Sequence, residues 1–372
     1  MYNNKKLIYT SLCFSLLVNL CLHYPHSSHW GGTDVPTYAM EASALIFYGY
    51  MPWFRNIFSA FNLVPDSENI GIPVLFSAIS LITDLSVEHT TVLCSVIISF
   101  FFIMFYSLML MEIDRNFLFH FFTLTTVNFY GYLLYLSTWR FTARTLFIFL
   151  IPILIFLLLK SHDSKLKKQS FKFNLLALVF TLVLAATHNL FWYLLLLFIA
   201  TYTATKILFN FLDKSILIKN NIRFTFSYIF LIFLIYYISI NNLLFDYSDQ
   251  TNNVVSRFEG DSFLIKTLNI INHYTVKGSI LNILVPFGIV FLLRTWYTNF
   301  IKSYLLIIFL ISIFFIFELT YFPQQFPIFI CLIIGFGFKF FFEEINKLHV
   351  KKPLRQSSIA LIVLLLISSS YR

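Results

Sequence analysis

An aspartate, two arginines and a histidine interrupt this apolar chain where a membrane protein could do chemistry. Asp34 stands near the start of GGTDVPTYAMEASALIFYGYMPW (residues 31–53), where its carboxylate could take a proton from a hydroxyl group or hold a cation. Arg140 and Arg144 are four residues apart in LSTWRFTARTLF, a spacing that predicts one shared helix face and a two-guanidinium grip on a phosphate. His188, in LAATHNLFWYL, could donate a hydrogen bond to a phosphate oxygen.

Each of these residues also has a structural interpretation. Asp34 suits the N-cap of a helix, because a carboxylate satisfies the free N–H groups of a first turn. Arginines near a membrane boundary can extend to lipid headgroups, and a lone histidine between two spans can be a polar turn residue. Both interpretations therefore stay open for each residue.

Other polar residues could belong to the same site. Arg257 is the one basic residue of the mixed-charge loop 245–278 that we nominate as a phosphate contact. An ionisable residue inside an apolar span is costly and is therefore a functional candidate, as Glu318 is in FIFELTYFPQQFP. The supporting candidates are Tyr38, Asp66, Glu68, Glu318 and Gln324.

Composition identifies the class of protein that must position these residues. The 372-residue chain is 59% hydrophobic, 20% aromatic and only 12% charged, which is typical of a polytopic membrane protein. The net charge of +9 does not indicate nucleic-acid binding, because the basic residues lie in short loops and form no known nucleic-acid motif. The four cysteines lie in apolar segments without CxxC spacing and imply neither a disulfide framework nor a metal site.

Apolar runs predict about eleven spans, and the lysines predict their directions. The run 71–85 is too short to cross, and counting it as a span would put most later lysines outside. We therefore expect 71–85 to lie along the outer surface, like the helix at 35–50. The N-terminal MYNNKK and the apolar run after it lack a small-residue cleavage site, so we expect an uncleaved first span with a cytoplasmic N-terminus.

The predicted fold is an all-α, polytopic transmembrane helical bundle with two amphipathic helices on the outer surface. We expect one membrane domain over residues 1–372, located in the cell membrane, with outer loops at 24–88 and 245–278. Pro152 and Pro286 are the main expected breaks within spans.

This layout resembles that of the membrane-embedded glycosyltransferases of the GT-C superfamily. The resemblance rests on Asp34 in GGTDVPTYAMEA, on GIPVLFSAISLITDLSVEHTTVL as the second surface helix, and on WRFTARTLFIFLIPILIFLLL and AATHNLFWYLLLL. It covers about the whole chain. The chain departs from the superfamily in lacking an acidic pair after Asp34, a Lys-Pro-Pro turn before the second surface helix, and a WWDYG motif with its soluble domain.

The resemblance implies transfer of a hexosyl or pentosyl group from a polyprenyl-phosphate-linked donor to a glycan, lipid or protein acceptor on the outer face. Asp34 matches the base of the first loop, and Arg140, Arg144, His188 and Arg257 would contact the phosphate. No cofactor is required by the sequence, with one divalent cation left open. The alternatives are a transporter or flippase for lipid-linked glycans, which would need broken, charged segments near mid-membrane, and a non-catalytic scaffold.

Overall fold

The structure is a computed structural model that describes residues 2–23, 34–49, 71–138, 141–163, 167–187, 191–211, 280–298, 300–318 and 326–347. Every regular element in these ranges is a helix. The α-helices are α1 Tyr2–Leu22, α2 Asp34–Tyr48, α3 Gly71–Thr83, α4 Val87–Ile113, α5 Phe117–Phe129, α6 Gly131–Thr138, α7 Ala143–Asp163, α8 Lys167–Thr187, α9 Phe191–Phe211, α10 Val285–Thr295, α11 Phe300–Glu318 and α12 Pro327–Lys347. Short 3-10 turns, Ile280–Leu284 and Trp296–Thr298, flank α10.

Three described helices are long and apolar enough to cross a membrane: Lys5–Leu22 in α1, Val87–Ile113 in α4 and Ala143–Ser161 in α7. The helix at Gly71–Thr83 has 13 residues. At 1.5 Å of rise per residue it covers only about 20 Å, short of the roughly 30 Å hydrocarbon core. Both helices predicted in the first loop are therefore present, and the second is too short to span.

Stacked phenylalanine rings build the core where α4, α5, α7, α10 and α12 meet. Their ring centroids lie 4.2–5.4 Å apart in the pairs Phe102–Phe149, Phe119–Phe336, Phe122–Phe338 and Phe291–Phe336. The Tyr106 hydroxyl donates to the Ile328 carbonyl at 2.7 Å and ties α4 to the start of α12. A high phenylalanine content thus serves packing inside the bundle as well as contact with lipid.

Glycines let α12 approach two neighbours closely. A Cβ on Gly335 would overlap the Thr123 side chain of α5, and one on Gly337 would overlap the carbonyl oxygen of Leu284. On α10, a Cβ on Gly288 would overlap the carbonyl oxygen of Ile333. Small residues at helix crossings are typical of membrane bundles, where close backbone contact replaces the hydrophobic effect between helices.

Two expectations about continuous and broken spans were wrong. The apolar run 117–136 counts as a single span among the eleven predicted from the sequence. In the structure the helix breaks at Tyr130, whose backbone is extended, and α6 restarts at Gly131. Pro152 lies inside a continuous α7, and Pro286 lies in the first turn of α10, where its missing N–H costs no helical hydrogen bond. Hydropathy does not detect the break at Tyr130, because both sides are equally apolar.

The C-terminal ends of α4, α7, α10 and α12 meet at one end of the bundle, which we call the ion-pair end. The pairs are Lys160–Glu112 at 2.7 Å, Lys339–Asp114, where Asp114 directly follows α4, at 2.6 Å, and Arg294–Glu344 at 3.5 Å. These four helices therefore run in the same direction, as the predicted alternation of spans requires. The opposite end carries α2 and α3, and we call it the surface-helix end.

Candidate functional site

An apolar cluster docks α2 and α3 onto the bundle at the surface-helix end. Its buried members come from α2, α3, α4 and the start of α7: Ala42, Ile72, Phe76, Cys94, Phe141, Ala143 and Leu146. Phe76 is fully buried and its ring lies 5.9 Å from that of Phe141. The two surface helices are thus held in one apolar cluster with α4 and the start of α7.

A tight turn joins α3 to the spanning helix α4. Asp84 has a φ of 57°, in the left-handed region that aspartate tolerates better than most residues. The Ser80 hydroxyl donates to the Leu85 carbonyl at 2.6 Å, and Ser86 caps α4 by accepting from the His89 backbone N–H at 3.3 Å. The position of α3 is therefore coupled directly to α4.

Two threonines fix the start of α7. The Thr142 backbone N–H donates to Thr145 Oγ1 at 3.3 Å, and the Thr145 N–H donates to Thr142 Oγ1 at 3.4 Å, a reciprocal arrangement like a capping box. Thr145 Oγ1 also donates to the Leu136 carbonyl at 3.0 Å, which links α7 to α6. Arg144 lies between these two threonines, so its backbone is held from both sides.

Arg144 is half-buried on the first turn of α7 and interacts electrostatically with Tyr132 of α6. The expectation that Arg140 and Arg144 share a helix face was wrong, because α7 begins at Ala143 and residues 141 and 142 are not helical. Arg140 itself lies outside the described residues. Four-residue spacing aligns side chains only within a helix.

The other predicted residues are placed only in part. Tyr38 is half-buried on α2 and packs against the docking cluster. Asp34 is the first residue of α2 and Glu318 the last of α11, as expected for a helix start and a span end, but their side chains are not described. Outside the described residues lie Asp66, Glu68, His188, Arg257 and Gln324.

The described part of the chain contains no candidate metal site. Within the described ranges, no group of three or more His, Cys, Asp and Glu side chains could hold a metal ion. The acids of the first loop, Asp34, Asp66 and Glu68, lie outside the side chains that the structure describes.

A row of buried polar residues along α1 was not predicted from the sequence. Ser11, Ser15, Asn19 and His23 recur every four residues, and all four are buried against α4 and α5. The spacing was visible in LIYTSLCFSLLVNLCLH, but the run was assigned only by its mean apolar character. A test for four-residue polar periodicity would have found it.

Comparison with known proteins gives matches in structure but none in sequence. No protein-family model and no curated protein matches the chain. The oligosaccharyltransferase AglB of Archaeoglobus fulgidus, in complex with an inhibitory peptide and a dolichol-phosphate, matches with a TM-score of 0.70 at 12% identity, over 100% of this chain and 56% of that one. The oligosaccharyltransferase of the same organism in complex with Zn and sulfate matches at 0.68, also with 12% identity, over 97% and 52%.

A further match is ArnT from Cupriavidus metallidurans bound to undecaprenyl phosphate, with a TM-score of 0.50 and 12% identity, over 89% of this chain and 59% of that one. The chain thus spans little more than half the length of the proteins it matches. AglB and ArnT are both GT-C proteins. The expected fold, an all-helical bundle like theirs with two short helices in its first loop, is thereby confirmed for this chain.

Proposed function

We propose that this protein is a membrane glycosyltransferase that takes its sugar from a polyprenyl-phosphate-linked donor. The observation that carries the proposal is a fold shared over nearly the whole chain with AglB and ArnT, each solved with a polyprenyl phosphate bound. A fold alone does not define a reaction, so the proposal also depends on the residues that this chain places at the surface-helix end.

The described geometry supports a site at the surface-helix end. Ala42 of the helix that starts with Asp34 belongs to the same buried apolar cluster as Ala143 and Leu146, which flank Arg144 in the first turn of α7. We therefore place a carboxylate and a guanidinium at the same end of the bundle. This pairing suits a reaction in which a proton leaves the acceptor while negative charge grows on a leaving phosphate.

In the proposed step, an acceptor oxygen or nitrogen attacks the anomeric carbon of the donor sugar. The new glycosidic bond forms as the bond between that carbon and the phosphate oxygen breaks, and polyprenyl phosphate leaves with the electron pair. Asp34 accepts the proton of the acceptor, and Arg144, with Arg140, His188 and Arg257, stabilises the departing phosphate. Tyr38, Asp66, Glu68, Glu318 and Gln324 would shape the acceptor side.

The proposed orientation follows the distribution of lysines. The ion-pair end would face the cytoplasm together with the N-terminus, and the surface-helix end would face the outside. A hexosyl or pentosyl donor and a glycan, lipid or protein acceptor are all compatible with this arrangement. A requirement for a divalent cation is tested directly by comparing the rate of sugar transfer with and without EDTA.

The test is sugar transfer by the purified full chain in lipid nanodiscs, with a radiolabelled polyprenyl-phosphate hexose or pentose and a mixture of envelope glycans as acceptors. Asp34→Asn should lower the rate at least a hundredfold, since general-base catalysis contributes about 10²–10⁴. Asp84→Asn is the matched control, because Asp84 is exposed in the same loop and asparagine tolerates its left-handed backbone. It should leave the rate unchanged.

Three outcomes would contradict the proposal. Undiminished transfer by Asp34→Asn removes this residue from the mechanism. Movement of a fluorescent lipid-linked glycan across the bilayer without any transfer would instead identify the flippase alternative. Neither transfer nor movement, from a folded protein with either donor, would favour the scaffold.

A further inference from the structure

The first spanning helix, α1, is inverted relative to a helix of a water-soluble protein: its polar side chains are buried and many of its apolar side chains are exposed. Its exposed face is apolar, with Leu7, Tyr9, Phe14, Leu17 and Leu20 each 41–64% exposed. Its buried face carries Ser11, Ser15, Asn19 and His23, each at most 5% exposed. This is the arrangement expected of a membrane span whose polar face binds its neighbours while its apolar face meets lipid.

Hydrogen bonds connect this polar face to α4 and α5 at two levels. The buried ring of His120 lies between Ser11 Oγ, 3.2 Å from Nδ1, and Ser107 Oγ, 3.1 Å from Nε2. Eight residues further along α1, the Asn19 amide donates to Asn128 Oδ1 at 3.2 Å, while the Asn128 amide donates to the Ser15 carbonyl at 3.1 Å. The helix is thus joined to α5 at both levels.

At the second level, polar atoms remain without a partner among the described residues. Asn19 Oδ1 and Ser99 Oγ are buried, and neither atom forms a hydrogen bond with a described residue. Their side chains are at most 4% exposed. A buried polar atom without a partner costs about 1–3 kcal/mol, so two such atoms facing one space need a common explanation.

A small cavity lies at this point. Asn19, Ser99, Asn128 and His23 contribute its polar wall, and Phe102 is among the residues of its apolar wall. It has room for about one water molecule. It also borders the break at Tyr130, and non-helical backbone at membrane depth is found where protein or water surrounds it.

We propose that this cavity is a built hydration site, in which one buried water molecule bonds to Asn19 Oδ1 and Ser99 Oγ and joins α1 to α4. Water supplies both the donor that the Asn19 oxygen needs and a donor or acceptor for the serine. A larger ligand does not fit, and an apolar one would leave both polar atoms unsatisfied. The inference is independent of the proposed glycosyl transfer.

The test compares two serine variants of the full chain in the same detergent. Ser99→Ala removes one partner of the water and should lower Tm by roughly 2 °C, the shift expected for a loss near 1 kcal/mol. Ser15→Ala is the matched control, since Ser15 Oγ is equally buried and without a described partner, yet Ser15 does not line the cavity. Removing that hydroxyl should leave Tm unchanged or raise it.

A density map that resolves ordered water completes the test, with a peak expected within 3.2 Å of both polar atoms by ordinary hydrogen-bond geometry, about 2.7–3.2 Å. An empty cavity in that map overturns the proposal. So does a Ser99→Ala variant that is as stable as the unmodified protein or more stable, because in a dry cavity the substitution only removes an unsatisfied hydroxyl.

Discussion

The two ends of the bundle are held together by different forces. At the ion-pair end, Lys339 Nζ lies 2.6 Å from Asp114 Oδ2, and both side chains are largely buried, with 13% and 16% exposure. At the surface-helix end, α2 and α3 are docked by apolar side chains around Phe76. The ion-pair end joins two residues that are 225 positions apart in the chain. The surface-helix end joins two short helices of the first loop to the longer helices of the bundle.

This difference suggests a division of roles. Charges paired at one end link the C-terminal parts of four helices. At the other end, apolar side chains hold α2 and α3. An element held by a few apolar contacts also opens more readily than the core of a bundle.

Removing the central ring of the docking cluster should have the largest effect. Phe76→Ala should cost about 3–5 kcal/mol of docking energy, since Phe76 is fully buried. If docking is local, hydrogen exchange of the amides in α2 and α3 should accelerate roughly a hundredfold or more, with little change in the rest of the bundle. The measurement is exchange followed by mass spectrometry.

Leu81→Ala is the control for this variant, because Leu81 lies on the same helix but is 66% exposed. It should leave the exchange of α2 unchanged. Acceleration throughout the bundle in Phe76→Ala would show that the surface helices are part of the core, and the contrast between the two ends would be lost.

Breaking the buried ion pair should have the next largest effect, and it should be global. Lys339→Met leaves the Asp114 carboxylate without its closest partner and should destabilise the whole bundle by about 3 kcal/mol, measured as a fall in Tm. The double variant Asp114→Asn/Lys339→Met should recover most of the loss. Asparagine keeps the oxygen that accepts from the Asn116 backbone N–H. A single variant as stable as the unmodified protein would mean that the pair does not hold this end.

The smallest effect is expected at the start of α7. Thr145→Val removes the hydroxyl that bonds to Thr142 and to the Leu136 carbonyl, and should cost about 1 kcal/mol. If that hydroxyl also orients Arg144, the KM for the lipid-linked donor should rise while kcat changes little. Thr201→Val on α9 is the control, because Thr201 is equally buried and its hydroxyl bonds to carbonyls of its own helix, those of Leu197 and Phe198. An unchanged KM would separate Arg144 from donor binding.

Patterns within single segments predicted most of the helical framework. The starts of α2 and α7 lie where polar residues interrupt apolar runs, and α8 ends at Thr187 and α9 begins at Phe191 on either side of His188 and Asn189. The length of 71–85 excluded a span correctly. Contacts between segments far apart in the sequence could not be predicted. The residues around Lys339, for example, do not indicate that Asp114 is its ion-pair partner.

The expectation that Arg140 and Arg144 share a helix face depended on where α7 begins. Their spacing suggested a shared face, but Thr142 ends the non-helical stretch and caps α7 one residue before its start. The break at Tyr130 was missed for a related reason, since it depends on backbone geometry next to Gly131 and not on polarity. Most candidate site residues lie in segments outside the described ranges. The structure describes the burial of Arg144 and Tyr38, and the site itself stays a prediction from the sequence.

The inverted first helix has a consequence for biosynthesis. Asn19 is made 109 residues before its partner Asn128, so the polar side of this helix leaves the ribosome long before α5 exists to cover it. Exposure of such side chains to hydrocarbon is unfavourable. The polar face is therefore covered by protein only after α5 has been synthesised, so that final packing of the N-terminal helix depends on sequence translated much later.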